Sequence, residues 1–375
     1  MDAQKKRCWA EISLDNLENN YRSLRSRLPQ GCRFLGVVKA NAYGHGAVEV
    51  ARVLEAAGAD YLAVAFIDEA IELREHDIRL PILVLGYTSP EYTRDLIEHD
   101  ITQAVTDYDS GSAYAKEAEK LGSVLKCHLK LDSGMGRLGF GNSIDTDAIG
   151  SLLELPQLYF EGVFTHFAVS DVSGEDEYTH RQYETFMARI AELEGISGKK
   201  FELIHCANSG AMINYAHTYR DMVRPGILLY GHYPDKDTNG IEVQPVMTLK
   251  TRIVQIKDVL PGDTISYGRI WTAEKPAKIA VLSVGYADGL SRLLSNKAEF
   301  LLNGCRIKQI GRICMDMCMA DVSDVPKVSV GDEVVIFGEE LPVEEHADKT
   351  GTISYEMLCS VSVRVPRIYT HSKSV

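Results

Sequence analysis

Five short apolar runs in this chain each end on groups that can do chemistry. "FLGVVKA" (34–40) carries Lys39, and "KCHLKLD" (126–132) carries Lys130 with Asp132. "FEGVFTH" (160–166) ends on His166. "LIHCANS" (203–209) carries His205, Asn208 and Ser209, and "MVRPGILLYG" (222–231) carries Arg224 and Gly226. Any one of these could be a solvated strand end or a packed imidazole. Together they suit an anionic, carbonyl-type ligand. A lysine held at a strand end inside a barrel is desolvated, which lowers its pKa and frees a neutral amine. Such an amine forms Schiff bases with aldehydes. It could therefore serve as an aldolase-type lysine or carry pyridoxal 5'-phosphate (PLP). The second use needs a phosphate site. "ANSG" (207–210) and "RPGI" (224–227) offer backbone N–H groups, a hydroxyl and glycines for one.

The elements that would position these groups are regular. Between residues 34 and 231 eight β-branched runs recur, most of them followed by an amphipathic helical pattern. The other three are "YLAVAF" (61–66), "PILVLG" (81–86) and "TQAVTD" (102–107). Runs without polar alternation suit parallel strands buried on both faces. Eight such units predict a (β/α)8 barrel, whose chemistry sits at the C-terminal strand ends. An open doubly wound sheet is the competitor, but no GxGxxG follows an early strand. After about residue 240 β-type runs alternate with turns such as "LPGD" (260–263), and long helical patterns are absent. The predicted division is a barrel over 1–240 and a mostly β domain over 241–375, with the first residues free to pair with the second domain.

With 40 basic and 53 acidic side chains, the net charge is -13, which disfavours nucleic acid and anionic membrane as partners. No run reaches the roughly 18 apolar residues of a spanning helix. The eight cysteines are scattered, without a CxxC pair, and no metal site is predicted. The chain reads as cytoplasmic: a cytosolic enzyme, or the excised cytoplasmic half of a membrane protein.

Further motifs are "VVKANAYGHG", "HLKLDSGMGRLGF", "GVFTHFA", "HCANSGAM", "VRPGILLYG", "ISYGRIW", "LSVGYADG", "GRICMDM" and "SVRVPRIY". In this order they resemble the PLP-dependent alanine racemases. Within that family they resemble the racemase half of the membrane serine/alanine racemases of vancomycin resistance. The resemblance implies a barrel, a C-terminal β domain and a homodimer with shared active sites, acting on a small amino acid to supply D-amino acid for cell-wall precursors. It implies that Lys39 is the Schiff-base lysine and that Tyr43, Ser209, Gly226 and Ile227 bind the phosphate. His166 would pack on the cofactor ring, His205 would support it, and Arg224 would face the pyridine nitrogen. Arg137 would lie near the substrate carboxylate, held by Lys130, which is carbamylated in many members. Tyr267 would be the second catalytic base, contributed with Met315 and Tyr286 by the other subunit.

Racemisation removes a proton from one face and returns one on the other, so two bases are expected, Lys39 and Tyr267. Arginine cannot be deprotonated, so Arg224 would leave the pyridine nitrogen unprotonated and favour reprotonation at Cα. A PLP decarboxylase of the same architecture would place an acid there. A single-barrel PLP-binding protein would lack the β domain. One departure from the family concerns Val363, where the resemblance leads us to expect a tyrosine that touches the cofactor phosphate. The smaller residue predicts a roomier pocket that admits serine as well as alanine. The alternative is a plain alanine racemase.

Overall fold

The computed structural model describes residues 6–141, 146–235 and 238–371. It forms two compact units. One comprises Glu18–Ala42 and Ala47–Val243; the other comprises Met1–Leu17, Tyr43–Gly46 and Gln244–Val375. The chain thus passes between units at 17/18, 42/43, 46/47 and 243/244, where the sequence suggested one cut near 240.

The earliest strand, β1 (Cys8–Ser13), belongs to the β unit, because it pairs antiparallel with Met247–Thr251 and parallel with Arg367–Thr370. Tyr43–Gly46 is held there too. Arg367 Nε donates to Gly44 O at 2.9 Å.

The barrel unit is an eight-stranded parallel sheet. Its strands are β2 (Arg33–Val37), β3 (Tyr61–Val64), β4 (Ile82–Val84), β5 (Ile101–Val105), β6 (Leu125–Lys130), β7 (Leu158–Phe164), β8 (Leu203–His205) and β9 (Met222–Val223). They lie in the order β8-β7-β6-β5-β4-β3-β2-β9. β3, β4 and β5 are buried along their whole length, so their sequences are continuous apolar runs. The helices show the complementary pattern. Ala47–Ala57 buries Ala47, Val50, Ala51 and Leu54, one stripe at helical spacing. Most strands are shorter than the runs that announced them. β9 stops after two residues because Pro225 has no N–H to extend a ladder, and Ile227–Tyr230 turns as a 3-10 helix. β8 stops at His205 because Asn208 caps the helix Ser209–Asn214, accepting from Ala211 N–H at 2.9 Å.

The β unit adds β10 (Met247–Val259), β11 (Thr264–Ile265), β12 (Trp271–Thr272), β13 (Ala277–Leu282), β14 (Glu299–Leu302), β15 (Cys305–Ile310), β16 (Cys318–Asp321), β17 (Glu333–Phe337) and β18 (Arg367–Thr370). The main sheet runs β13-β16-β15-β14-β17-β10-β1-β18, with β13 also paired to β10. β10 can serve both ends because its pairing shifts between Ile253 and Gln255, and such irregularities bend a strand. One expectation fails here. "EMLCSVSVRVPRIY" reads as a β run, yet Ser354–Cys359 is helical and only Arg367–Thr370 is strand. Ser354, Met357 and Leu358 are buried, the i, i+3, i+4 spacing of a helix face.

Candidate active site

Lys39 does not end its strand. β2 stops at Val37, and Lys39 opens the short segment Lys39–Tyr43, which coils with a left-handed sense. Ala40, Asn41, Ala42 and Tyr43 have φ of 53°, 52°, 53° and 53°, and none is a glycine. Left-handed helical geometry costs L-residues about 1–2 kcal/mol each. Hydrogen bonds around the turn offset that cost. Ala40 N–H donates to Glu69 Oε1 at 2.6 Å, Ala42 N–H to Val38 O at 2.8 Å, and Ala47 N–H to Asn41 Oδ1 at 2.8 Å. The other Glu69 oxygen accepts from Ala65 N–H at 2.7 Å, so one carboxylate ties the Lys39 turn to the end of the neighbouring strand. Strain concentrated in so few residues marks a functional segment.

Strand register brings the other barrel residues together. Lys130 pairs with Phe164, and Phe164 with His205, across β6, β7 and β8. Arg224 follows β9, its N–H bonded to Ala207 O at 2.9 Å. The Arg224 guanidinium is buried. It donates to Thr165 O at 2.7 Å, to Cys206 O at 3.1 Å and to His205 Nδ1 at 3.0 Å, and reaches within 3.5 Å of His166 Nδ1. No carboxylate is among these partners. Burial pushes Arg224 down to about 10. The desolvation expected of a strand-end lysine is found at Lys130, pushed down to about 7 by burial and then by the charge of Arg224. His166 and His205 are held well below the ordinary histidine value, by burial first and by Arg224 second. His166 also feels Lys130, Arg137 and Lys39, so four cations converge on one imidazole.

Ser209 opens the helix Ser209–Asn214, and its hydroxyl accepts from Gly226 N–H at 3.0 Å. That bond joins the two loops expected to hold a phosphate, with Ile227 next in the turn. Arg137 is exposed on a loop wound around Asp132, whose carboxylate accepts from the N–H groups of Gly134, Met135, Gly136 and Arg137. Burial opposes ionisation of Asp132, but these donors and Lys130 outweigh it and hold the carboxyl below its usual range.

The β unit presents its expected residues outward. Tyr267 is 72% exposed, Met315 53% and Tyr286 42%. Tyr267 stands on a turn in which Ser266, Gly268 and Arg269 all have positive φ. Ser266 Oγ anchors this turn by donating to Arg312 O at 2.7 Å. Tyr286 and Met315 are stapled side by side, because Tyr286 N–H donates to Cys314 O and Ala287 N–H to Met315 O, both at 3.0 Å. Gly285 permits this approach: a Cβ there would lie 2.4 Å from Cys314 O and from Met315 O. Beneath them Asp288 is fully buried, paired with Arg7 at 2.6 Å and Arg364 at 2.7 Å. Sequence reasoning passed over Asp288, although "GYADG" offers an acid between two glycines.

Val363 is 90% exposed on the β unit, where Tyr267 and Met315 are also exposed, at 72% and 53%. The phenol that lies beside Tyr43 belongs to Tyr355, with ring centroids 6.0 Å apart. Tyr355 lies just before the run "EMLCSVSVRVPRIY" and was not among the expected site residues.

The barrel residues fit PLP. They provide a lysine on a held turn, an arginine free of any acid, and a hydroxyl with a glycine turn suited to a phosphate. Fold and site define a two-unit, lysine-based enzyme of the barrel-plus-β type. The family description "Alanine racemase, N-terminal domain" matches residues 12–234, and "Alanine racemase, C-terminal domain" matches 246–369. An alanine racemase of Desulforamulus reducens is 46% identical, over 97% of this chain and 99% of its own. Alanine racemase 1 of Clostridium acetobutylicum is 43% identical, over 98% and 96%. The solved alanine racemase of Clostridium difficile superposes with a TM-score of 0.93 at 41% identity, covering 98% of this chain and 97% of that one. That of Bacillus anthracis, solved with bound L-Ala-P, gives 0.90 at 34%, covering 98% and 96%. The chain belongs to the alanine racemase family, whose members depend on PLP. These relatives carry the plain alanine racemase name, which lends no support to the vancomycin-resistance serine/alanine branch. No described helix is long and apolar enough to cross a membrane.

Proposed function

We propose that this chain interconverts L- and D-alanine with PLP held at the barrel mouth, working as a homodimer with shared sites. The observation that carries the reading is the buried Arg224 guanidinium, bonded to Thr165 O, Cys206 O and His205 Nδ1 and 3.5 Å from His166 Nδ1, with no carboxylate among these partners. Such a site suits a phosphate and an amino-acid carboxylate. When bound, PLP draws electron density from the amino acid's Cα and loosens its proton.

Lys39 takes or returns that proton on one face, and Tyr267 of the partner subunit does so on the other. Arg224 supplies N–H donors and keeps its own proton, which favours return of the proton to Cα over other outcomes. Tyr43, Ser209, Gly226 and Ile227 hold the phosphate; His205 supports Arg224. With its pKa pushed down to about 7, Lys130 is about half neutral near pH 7, and the neutral amine is the form that takes up carbon dioxide. As a carbamate it would set a negative charge between Arg224 and Arg137 and hold Arg137 toward the substrate. Met315 and Tyr286 of the partner subunit border the substrate entrance.

The test is reduction of the PLP-loaded protein with borohydride, followed by peptide mapping and a chiral assay on L-alanine. A label on Lys39 together with D-alanine production supports the proposal. A protein that takes no label, or that leaves L-alanine unchanged, sinks it. L-serine is assayed beside alanine. The serine expectation rests on Val363, and the serine-to-alanine ratio of kcat/KM tests it.

A further inference from the structure

We propose that Glu161 and His128 are positioning residues for Arg224: with His205 they form a one-way line of N–H donors through the barrel, from the guanidinium to the Glu161 carboxylate. The proposal rests on the reading of Arg224 as the residue that faces the cofactor.

The direction of the line follows from what each group can do. Arg224 Nη1 lies 3.0 Å from His205 Nδ1. Arginine only donates, so Nδ1 accepts and the His205 proton sits on Nε2. That atom lies 2.9 Å from His128 Nδ1. Nδ1 of His128 therefore accepts, and its proton sits on Nε2. His128 Nε2 makes no hydrogen bond to a described residue, and Glu161 Oε2 lies 3.5 Å from it, an ion-pair distance at the end of the line. Glu161 is also the acceptor for the Tyr61 phenol. Burial opposes its ionisation, but His128, Tyr61 and Arg33 outweigh burial and hold its carboxyl below the usual range. Both imidazoles are fully buried, and burial keeps them neutral. The line thus runs from a buried cation through two neutral rings to an anion at the far end of the strands.

The backbone is shaped around this line. Cys127 pairs with Phe160 and His128 with Gly162, so Glu161 is the unpaired residue of a bulge in β7. Bulges re-aim a side chain. Gly162 clears the space beside it: a Cβ there would lie 2.8–2.9 Å from three atoms of the His128 ring. A histidine that merely filled core volume would need neither departure. The benefit falls on Arg224, whose other acceptors are neutral carbonyls. A buried cation needs compensation, and a buried imidazole can flip its tautomer unless both ends are fixed.

The experiment is 15N spectroscopy of the histidine rings in the PLP-loaded protein, followed by variants. His128 and His205 should both be neutral with the proton on Nε2. A proton on Nδ1 of His205, or an imidazolium at either residue, overturns the proposal without any variant. Glu161→Gln removes the charge and keeps an acceptor. It should shift the His128 and His205 resonances and lower kcat about tenfold with KM little changed, and Glu161→Asp should recover part of the loss. Tyr159→Phe, on the same strand but outside the line, should leave both readings unchanged. Unmoved resonances and unmoved kcat in Glu161→Gln overturn the proposal. The wild-type ring spectra stand whether or not the protein racemises alanine, so failure of the proposed function is told apart from failure of the line.

Discussion

The barrel mouth and the β unit handle their chemical residues in opposite ways. In the barrel Lys130, His205 and Arg224 are buried and hydrogen-bonded to groups of the barrel itself. In the β unit Tyr267, Tyr286 and Met315 stand exposed, while the backbone beneath them is clamped by Gly285, Asp288, Arg7 and Arg364. Rigid turns that display large apolar and phenolic groups are costly unless something covers them. The difference teaches that the barrel half satisfies its polar groups within one chain, whereas the β half displays its own outward, as the proposed homodimer requires.

The sharpest way to break this contrast is complementation. Lys39→Ala and Tyr267→Ala should each reduce racemisation by roughly 10²–10⁴-fold, the usual worth of a general acid or base. Mixed and allowed to exchange subunits, the two inactive proteins should recover about a quarter of wild-type activity, because half the dimers are hybrids with one intact site. No recovery after verified exchange would show that the exposed Tyr267 does not serve a neighbour. Next is the strain at Lys39. Glu69→Ala removes the acceptor of Ala40 N–H and Ala65 N–H and should destabilise the barrel by about 2–3 kcal/mol. It should also slow labelling of Lys39; urea melts and borohydride trapping read the two effects separately.

A smaller effect separates the units by pH. His128, His166 and His205 have lowered values in the folded barrel, chiefly through burial, whereas the unfolded chain takes up these protons near pH 6.5. Stability present above pH 6.5 is therefore lost as the pH falls below it, by about 1.4 kcal/mol per pH unit for each histidine. The β unit has His346 with the same sign. Proteolysis of the cofactor-free chain between pH 7 and 5 should open the barrel segments first; equal opening of both units would remove the contrast. The smallest effect is expected at Val363. Val363→Tyr should leave the serine-to-alanine ratio of kcat/KM within about twofold, the scale below which a pocket contact is not being felt. Tyr355→Ala, by removing a half-buried ring beside Tyr43, should cost about 2 kcal/mol of stability. A tenfold fall in the ratio with Val363→Tyr would restore the serine expectation.

Much of the barrel was legible because its signals are local. Runs buried on both faces, helices with apolar stripes and polar residues at run ends all survive in one dimension, and Lys130, His166, His205 and Arg224 were found that way. The left-handed turn after Lys39 was not legible. Its four residues include no glycine, and its support comes from Glu69, thirty residues on. The helix Ser354–Cys359 was misread for a related reason: six residues are too few for periodicity to separate helix from strand.

By itself the sequence determined the fold class, the two architectures in one chain and the run of lysines, histidines and arginine that the barrel must gather. These follow from hydrophobic periodicity, which each segment carries within itself. Only the tertiary structure decided which polar groups touch. It set Arg224 against His205, aimed Glu161 at His128 through a one-residue bulge, placed Tyr355 beside Tyr43, and left Tyr267 facing outward. The physical reason is register. Side-chain direction alternates with every residue of a strand, so a single bulge or an early strand end reassigns a partner without altering the pattern that announced the strand.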